Sequence, residues 1–217
     1  MRLLATIVFA ALLGTVQAAD FATAPDRVTP LLLGSALPDA TLRTVDGAGT
    51  SLVKAVGGKP AVLVFYRGGW CPFCNLQLSN LRLIQKDLTA LGYQTIAISP
   101  DRPEELRKTL GKDALDYTLL SDSSASAIRA FGIAYRVDAA TIARYKEYGI
   151  DLDASSGDTH HALPVPAVYI VDADGVLQFS YVHPDYRVRV PSDVVLSAAR
   201  AIAEQREKLH PSPPKAP

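Results

Sequence analysis

Two cysteines, one methionine and one tryptophan in 217 residues leave little sulfur and little indole to place. So few cysteines exclude the small stapled scaffold, which is short and dense in disulfides. A chain of this length with 48% hydrophobic residues buries a core without one. Charge of either sign is not in excess: 22 Lys and Arg face 22 Asp and Glu, and no block of like charge interrupts the sequence. That balance gives no footprint for nucleic acid or for an acidic partner. No internal repeat is present, and no second long apolar run follows the start of the chain, so no stable membrane insertion is expected of the rest.

The start itself, "MRLLATIVFAALLGTVQAAD", has a basic Arg2, an apolar run from Leu3 to Leu13, and the small residues Val16 and Ala18 before a cleavage point. This is the pattern of a secretory signal peptide over residues 1–18, with an uncleaved anchor as the weaker alternative because nothing hydrophobic follows to support it. No cysteine follows to accept a lipid. Removing residues 1–18 takes away Arg2 alone among the charges, and delivers the chain, periplasmic or secreted, to an oxidising compartment where two thiols can rest as a disulfide. Residues 19–35 read as a polar leader, 36–209 as one domain, and the proline-rich 210–217 as a disordered tail.

Within the domain, "LPDATLRTVDGAGTSLV" alternates around Asp46-Gly47 and predicts a hairpin. "AVLVFY" is a continuous apolar run, the mark of a strand buried on both faces. Leu76, Leu81, Ile84, Leu88 and Leu91 then form an amphipathic stripe ended at Gly92. "YQTIAISP" and "DYTLLSD" read as further strands, Pro103 to Leu110 and Ser123 to Phe131 as short helices, and "VPAVYIVDADGVLQFSYV" as a strand, a turn at Asp172 to Gly175 and a partner strand. Val190 to Leu209 closes the chain as a helix. Strands alternating with helices predict an α/β fold, a mixed sheet flanked by helices. The long stretch between Gly132 and Pro166 predicts an inserted helix with Ile142, Tyr145 and Tyr148 on one face, either shaping a substrate groove or covering a sheet edge.

Both cysteines lie where the buried strand turns into the helix, in "YRGGWCPFCN". A thiol at a helix start faces unpaired N–H groups and the positive end of the dipole, so Cys71 is predicted to hold a depressed pKa and to be the exposed attacking sulfur. Pro72 suits the first helical position, and Cys74, one turn on, is predicted to be the less exposed resolving sulfur. Trp70 supplies an apolar wall. Zinc would need two more ligands, and the adjacent His160 and His161 lack the usual spacing, so no metal and no cofactor are assigned. A static disulfide across one helical turn closes too small a loop to stabilise much.

These residues resemble the thioredoxin fold, in which a hairpin, a buried strand and W-C-x-x-C opening a helix are followed by a cis proline facing the sulfurs; Val165-Pro166 stands at that step. More closely, "AVLVFYRGGWCPFC", "AISPD", "LLSDSSASAIRAFGIAY" and "LPVPAVYIVDADGVLQFSYVHPDYRVR" resemble peroxiredoxin-like members of the alkyl hydroperoxide reductase and thiol-specific antioxidant family. The resemblance implies reduction of hydroperoxides through a Cys71 sulfenic acid and a Cys71–Cys74 disulfide, cleared by thioredoxin or a similar donor. The sequence departs from the family pattern at Gly68 and Val64, where a Thr or Ser and a Pro are usual, and it lacks the arginine expected before "VYIVD". Arg67 either replaces that charge or is a solvated loop residue. A second reading is an exported protein thiol–disulfide oxidoreductase that docks an extended substrate along the Val165-Pro166 backbone. A copper-handling chaperone, in which both thiolates and a distant His bind the metal, is a third.

Overall fold

A computed structural model describes residues 21–113 and 117–209. The predicted signal peptide over 1–18 and the predicted tail over 210–217 lie outside the described residues.

The order is β1 (Thr41–Thr44), β2 (Gly49–Ser51), α1 (Leu52–Val56), β3 (Ala61–Phe65), α2 (Pro72–Ala90), β4 (Gln94–Ser99), α3 (Pro103–Asp113) and β5 (Thr118–Ser121). There follow α4 (Ser126–Ala130), β6 (Ala134–Arg136), α5 (Ala139–Glu147), α6 (Leu152–Ser156), β7 (Ala162–Pro164), β8 (Ala167–Val171), β9 (Leu177–Val182) and α7 (Ser192–Leu209). Seven strands form one mixed sheet, ordered β2-β1-β5-β4-β3-β8-β9, in which β3, β4 and β5 run parallel and the flanking pairings are antiparallel. The period of two along β3 divides the core. Ala61, Leu63 and Phe65 face the layer of α1 and α4, while Val62 and Val64 face α2, α3 and α7, with Leu78, Leu81, Ile84 and Leu88 of α2 against them. Each buried leucine contributes about 1.5–3 kcal/mol over its exposed state, so two full layers hold the central strands in place.

The Asp46-Gly47 hairpin forms, closed by the Gly47 N–H on the Thr44 C=O at 2.9 Å. Its second strand is shorter than predicted, because the Ser51 hydroxyl accepts the Lys54 N–H and caps α1. The predicted leader is part of the fold over the described residues. Ala22 exchanges backbone hydrogen bonds with Ala134 and Arg136, Thr29 and Leu31 donate to Gly132 and Phe131, and Phe21 lies between the guanidinia of Arg129 and Arg136. A Cβ at Gly132 would collide with the Thr29 carbonyl, and its φ of +66° is left-handed, so glycine is required twice over at that turn.

The insertion is a small module of its own, α5 and α6 carried on the two-stranded β6–β7 ribbon. Ile142 and Tyr145 pack inward as predicted, but Tyr148 is 72% exposed, because α5 ends at Glu147 and Tyr148 falls on its C-terminal cap. The predicted cis bond before Pro166 is absent: no cis peptide occurs among the described residues. There the Val165 N–H donates to the Ile133 C=O and the Pro166 C=O accepts from the His183 N–H, as the chain passes from the β6–β7 ribbon into the main sheet.

Candidate active site

Parallel strands deliver their loops to one edge of the sheet, at the carboxyl ends of β3, β4 and β5. The β3–α2 loop there is short and glycine-rich for a steric reason. A Cβ on Gly68 would lie 2.8 Å from Asp101 Oδ1 and against the Trp70 indole, and one on Gly69 would enter the Thr109 hydroxyl. The turn closes with the Cys71 N–H on the Gly68 C=O at 3.1 Å. The Gly69 peptide is clamped at both ends: its N–H donates to Asp101 Oδ2 at 2.8 Å, and its C=O accepts from Asn75 Nδ2 at 2.9 Å. Trp70 and Cys71 are thereby fixed at the start of α2.

Cys71 is the N-cap of α2, with Pro72 at the first helical position and the Cys74 and Asn75 N–H groups turned back onto the Cys71 C=O. Its pKa is lowered to about 6, first by the Cys74 thiol, which donates to the Cys71 sulfur, and then by the charge of Arg67. Burial instead pushes the Cys74 thiol well above its ordinary value. Both cysteines are free, so the pair is placed to share one proton. Exposure departs from expectation: Cys71 is 1% exposed and Cys74 not at all.

The cover over Cys71 comes from remote segments. Arg67 is buried, not solvated; its Nη1 lies 4.0 Å from Cys71 Sγ and its Nη2 donates to the Tyr145 hydroxyl on α5. Its guanidinium sits over the rings of Trp70, Tyr145 and Tyr186 at 4.9, 5.5 and 4.2 Å. Trp70 leans on Tyr145, and Phe73 meets Tyr186 edge-on. A second guanidinium, Arg189 from the β9–α7 loop, places Nη2 3.2 Å from Cys74 Sγ.

Four of the six predicted site residues are thus brought together: Cys71, Cys74, Trp70 and Arg67. Val165 is not, and Pro166 stands at the entry to β8 with its C=O accepting from the His183 N–H. Val165 packs into the core layer opposite the one that holds the cysteines, and its N–H is spent inside the fold. Sequence reasoning missed Arg189, Tyr186, Asn75 and Asp101 as site residues. Asp101 and Arg189 lie in stretches that carry the family resemblance, "AISPD" and "YRVR", but nothing local aims them at a sulfur.

A seven-stranded mixed sheet with a dithiol at the start of the helix after β3 defines a thioredoxin-like fold. Peroxidoxin BcpB from Mycobacterium tuberculosis shares it with a TM-score of 0.62 over 78% of this chain and 97% of that one, at 20% identity. A peroxiredoxin-like protein from Aquifex aeolicus does so with a TM-score of 0.63, at 17% identity, covering 80% and 89%. Residues 33–180 match the model of the AhpC/TSA family, and the chain belongs to that family. Peroxiredoxin Bcp of Escherichia coli K12 is 27% identical over 170 residues, 78% of this chain and 96% of that protein. The chloroplastic peroxiredoxin Q of Oryza sativa subsp. japonica is 31% identical over 148 residues, 68% of this chain and 58% of that one.

Proposed function

We propose that this chain is a thiol-dependent peroxidase in which Cys71 attacks and Cys74 resolves. The observation that carries the assignment is geometric: Cys71 caps the start of α2 with the Arg67 guanidinium 4.0 Å from its sulfur, while Cys74 is fully buried one turn on, an arrangement that favours the thiolate at Cys71 and disfavours it at Cys74. The Cys71 thiolate attacks the terminal oxygen of a hydroperoxide, the O–O bond breaks, and the alkoxide leaves with a proton as an alcohol. The resulting sulfenic acid condenses with the Cys74 thiol to form the disulfide and water, and a thioredoxin-like dithiol returns both sulfurs to the reduced state. Arg67 is the charge nearest the attacking sulfur, and Trp70 walls it on the apolar side.

The competing reading, exchange with protein disulfides, keeps the dithiol but loses its docking backbone, since the Val165 N–H is already paired. Peroxide consumption and insulin disulfide reduction, followed side by side with one reduced preparation, separate the two. Peroxide loss dominant over insulin reduction is expected; the reverse ratio overturns the peroxidase reading. Cys71 modification by iodoacetamide should rise through an inflection near the value of about 6 and precede Cys74 at every pH, and faster labelling of Cys74 would exchange the two roles.

We infer that the chain is exported, which places the peroxidase where oxidants arrive first and requires its reducing power to be delivered from outside that compartment. The reading rests on the basic, apolar and small-residue pattern of residues 1–18. Amino-terminal sequencing of the mature protein should begin at Ala19. An unprocessed chain in the cytosolic fraction would reject it.

A further inference from the structure

Two guanidinia reach this site, and they go to different sulfurs. Arg67 meets Cys71 Sγ at 4.0 Å; Arg189 meets Cys74 Sγ at 3.2 Å from 115 positions away in sequence. Arg189 is held by backbone, its Nη1 donating to the carbonyls of Tyr186 and Val188. Its neighbour Arg187 is spent on Asp185 at 2.8 Å, whereas among the described residues no carboxylate is ion-paired with Arg189 or with Arg67. A pinned cation with no carboxylate beside it, aimed at a fully buried sulfur, retains its charge for whatever anion forms there.

That anion is absent from the resting pair and required later. While Cys71 is a thiolate, Cys74 holds its hydrogen and donates it to Cys71. Once Cys71 has become a sulfenic acid or a mixed disulfide, the negative charge beside Cys74 is gone, and Cys74 must itself become the nucleophile in an environment that disfavours a naked thiolate. We propose that the site assigns one guanidinium to each sulfur, and that Arg189 is the catalytic residue that stabilises the Cys74 thiolate as it attacks Cys71, a role separable from that of Arg67.

This rests on the reading that Cys74 resolves Cys71, but not on the peroxide being the oxidant, and the test is chosen accordingly. An aromatic disulfide such as dithiobis-nitrobenzoate reacts in two balanced steps. The Cys71 thiolate breaks the aromatic S–S bond, forming Cys71–S–S–aryl and releasing one coloured thiolate. The Cys74 thiolate, its proton passed to buffer, then attacks Cys71 Sγ, forming Cys71–Cys74 and releasing the second. One opposite charge within 4–6 Å moves a pKa by about 1–3 units. Each unit lowers the thiolate fraction tenfold and raises its nucleophilicity about threefold. Arg189→Gln is therefore expected to slow the second release by about three- to thirtyfold and the first by less than about twofold; Arg67→Gln should do the opposite, and Arg189→Lys should restore most of the second rate. An unchanged second phase in Arg189→Gln, or both phases slowed by one factor, overturns the assignment. Should Arg189→Gln fail to fold, Arg189→Lys and the parent are compared in a Cys71→Ser background, where the Cys74 thiolate absorbance should rise through the same pH in both; in the same background Arg189→Leu should move it up by about one unit or more, and no movement overturns the proposal. A hydroperoxide in place of the aromatic disulfide forms the separate arm: two-phase exchange without peroxide oxidation refutes the peroxidase and leaves the role of Arg189 standing.

Discussion

Asp101 and Asp122 are the same residue in nearly the same situation, and they do different work. Each follows a parallel strand of the sheet, each is buried, and burial raises the pKa of each to about 7. Asp122 turns its two oxygens to the free N–H groups of Ala127 and Ile128 and so caps α4. Asp101 turns one oxygen to the Gly69 N–H in the loop that carries Cys71. The lesson is that an acid's burial and perturbed pKa do not announce a catalytic site; the group it holds decides. Asp122 holds a helix, and Asp101 holds the nucleophile.

The largest effect expected from breaking this comparison is on stability. Asp122→Ala leaves two buried N–H groups without partners and should cost about 3 kcal/mol, read by urea unfolding, while Cys71 labelling keeps the parent rate and pH dependence. A fall in Cys71 reactivity in the folded fraction would mean the two acids are not distinct in role. Next comes the pH dependence of stability. A carboxyl whose folded pKa is raised from 3.8 to about 7 favours the folded state fully below the unfolded value, and that contribution is lost as pH rises through about 7. Asp101→Asn removes the loss, so variant minus parent stability should increase by about 2–3 kcal/mol between pH 5 and pH 8. A flat difference would show that Asp101 ionises in the fold without penalty.

Smaller is the effect on the sulfur. Asp101→Ala releases one end of the Gly69 clamp and should lower the rate of Cys71 alkylation at pH 7 by about tenfold, since small displacements of a reacting group are costly. Asn75→Ala releases the other end and should lower it about threefold, with roughly 1 kcal/mol of stability. If Asn75→Ala proved the more damaging of the two, the anchor would be the helix and not the strand end.

Much of the frame was legible because it is written locally. "AVLVFY" is apolar without interruption since β3 is covered on both faces, and the spacing of Leu81, Ile84 and Leu88 is that of a helix buried on one side. The place of Cys71 at a helix start followed from Pro72 and the glycines before it. The enclosure of the two sulfurs was not legible, because Tyr145, Tyr186 and Arg189 come from an insertion and a late loop whose approach no local pattern encodes. The cis bond expected at Pro166 came from the fold resemblance and not from the residues themselves, and the described residues hold no cis peptide. Leu52 and Val53, the end of the predicted hairpin, open α1 instead, because two apolar residues fit either period.

The one tryptophan of the chain stands immediately before Cys71, its indole against Tyr145 and beneath the Arg67 guanidinium. Every photon the indole emits is therefore filtered through the same contacts that govern the nucleophile, with no other indole to dilute the signal. When Cys71 gives up its charge, Arg67 loses its anion and the polarisation of the ring changes with it. Intrinsic indole emission should therefore shift on oxidation of Cys71 and return on its reduction, an optical readout at the sulfur that needs no label and no coupled enzyme.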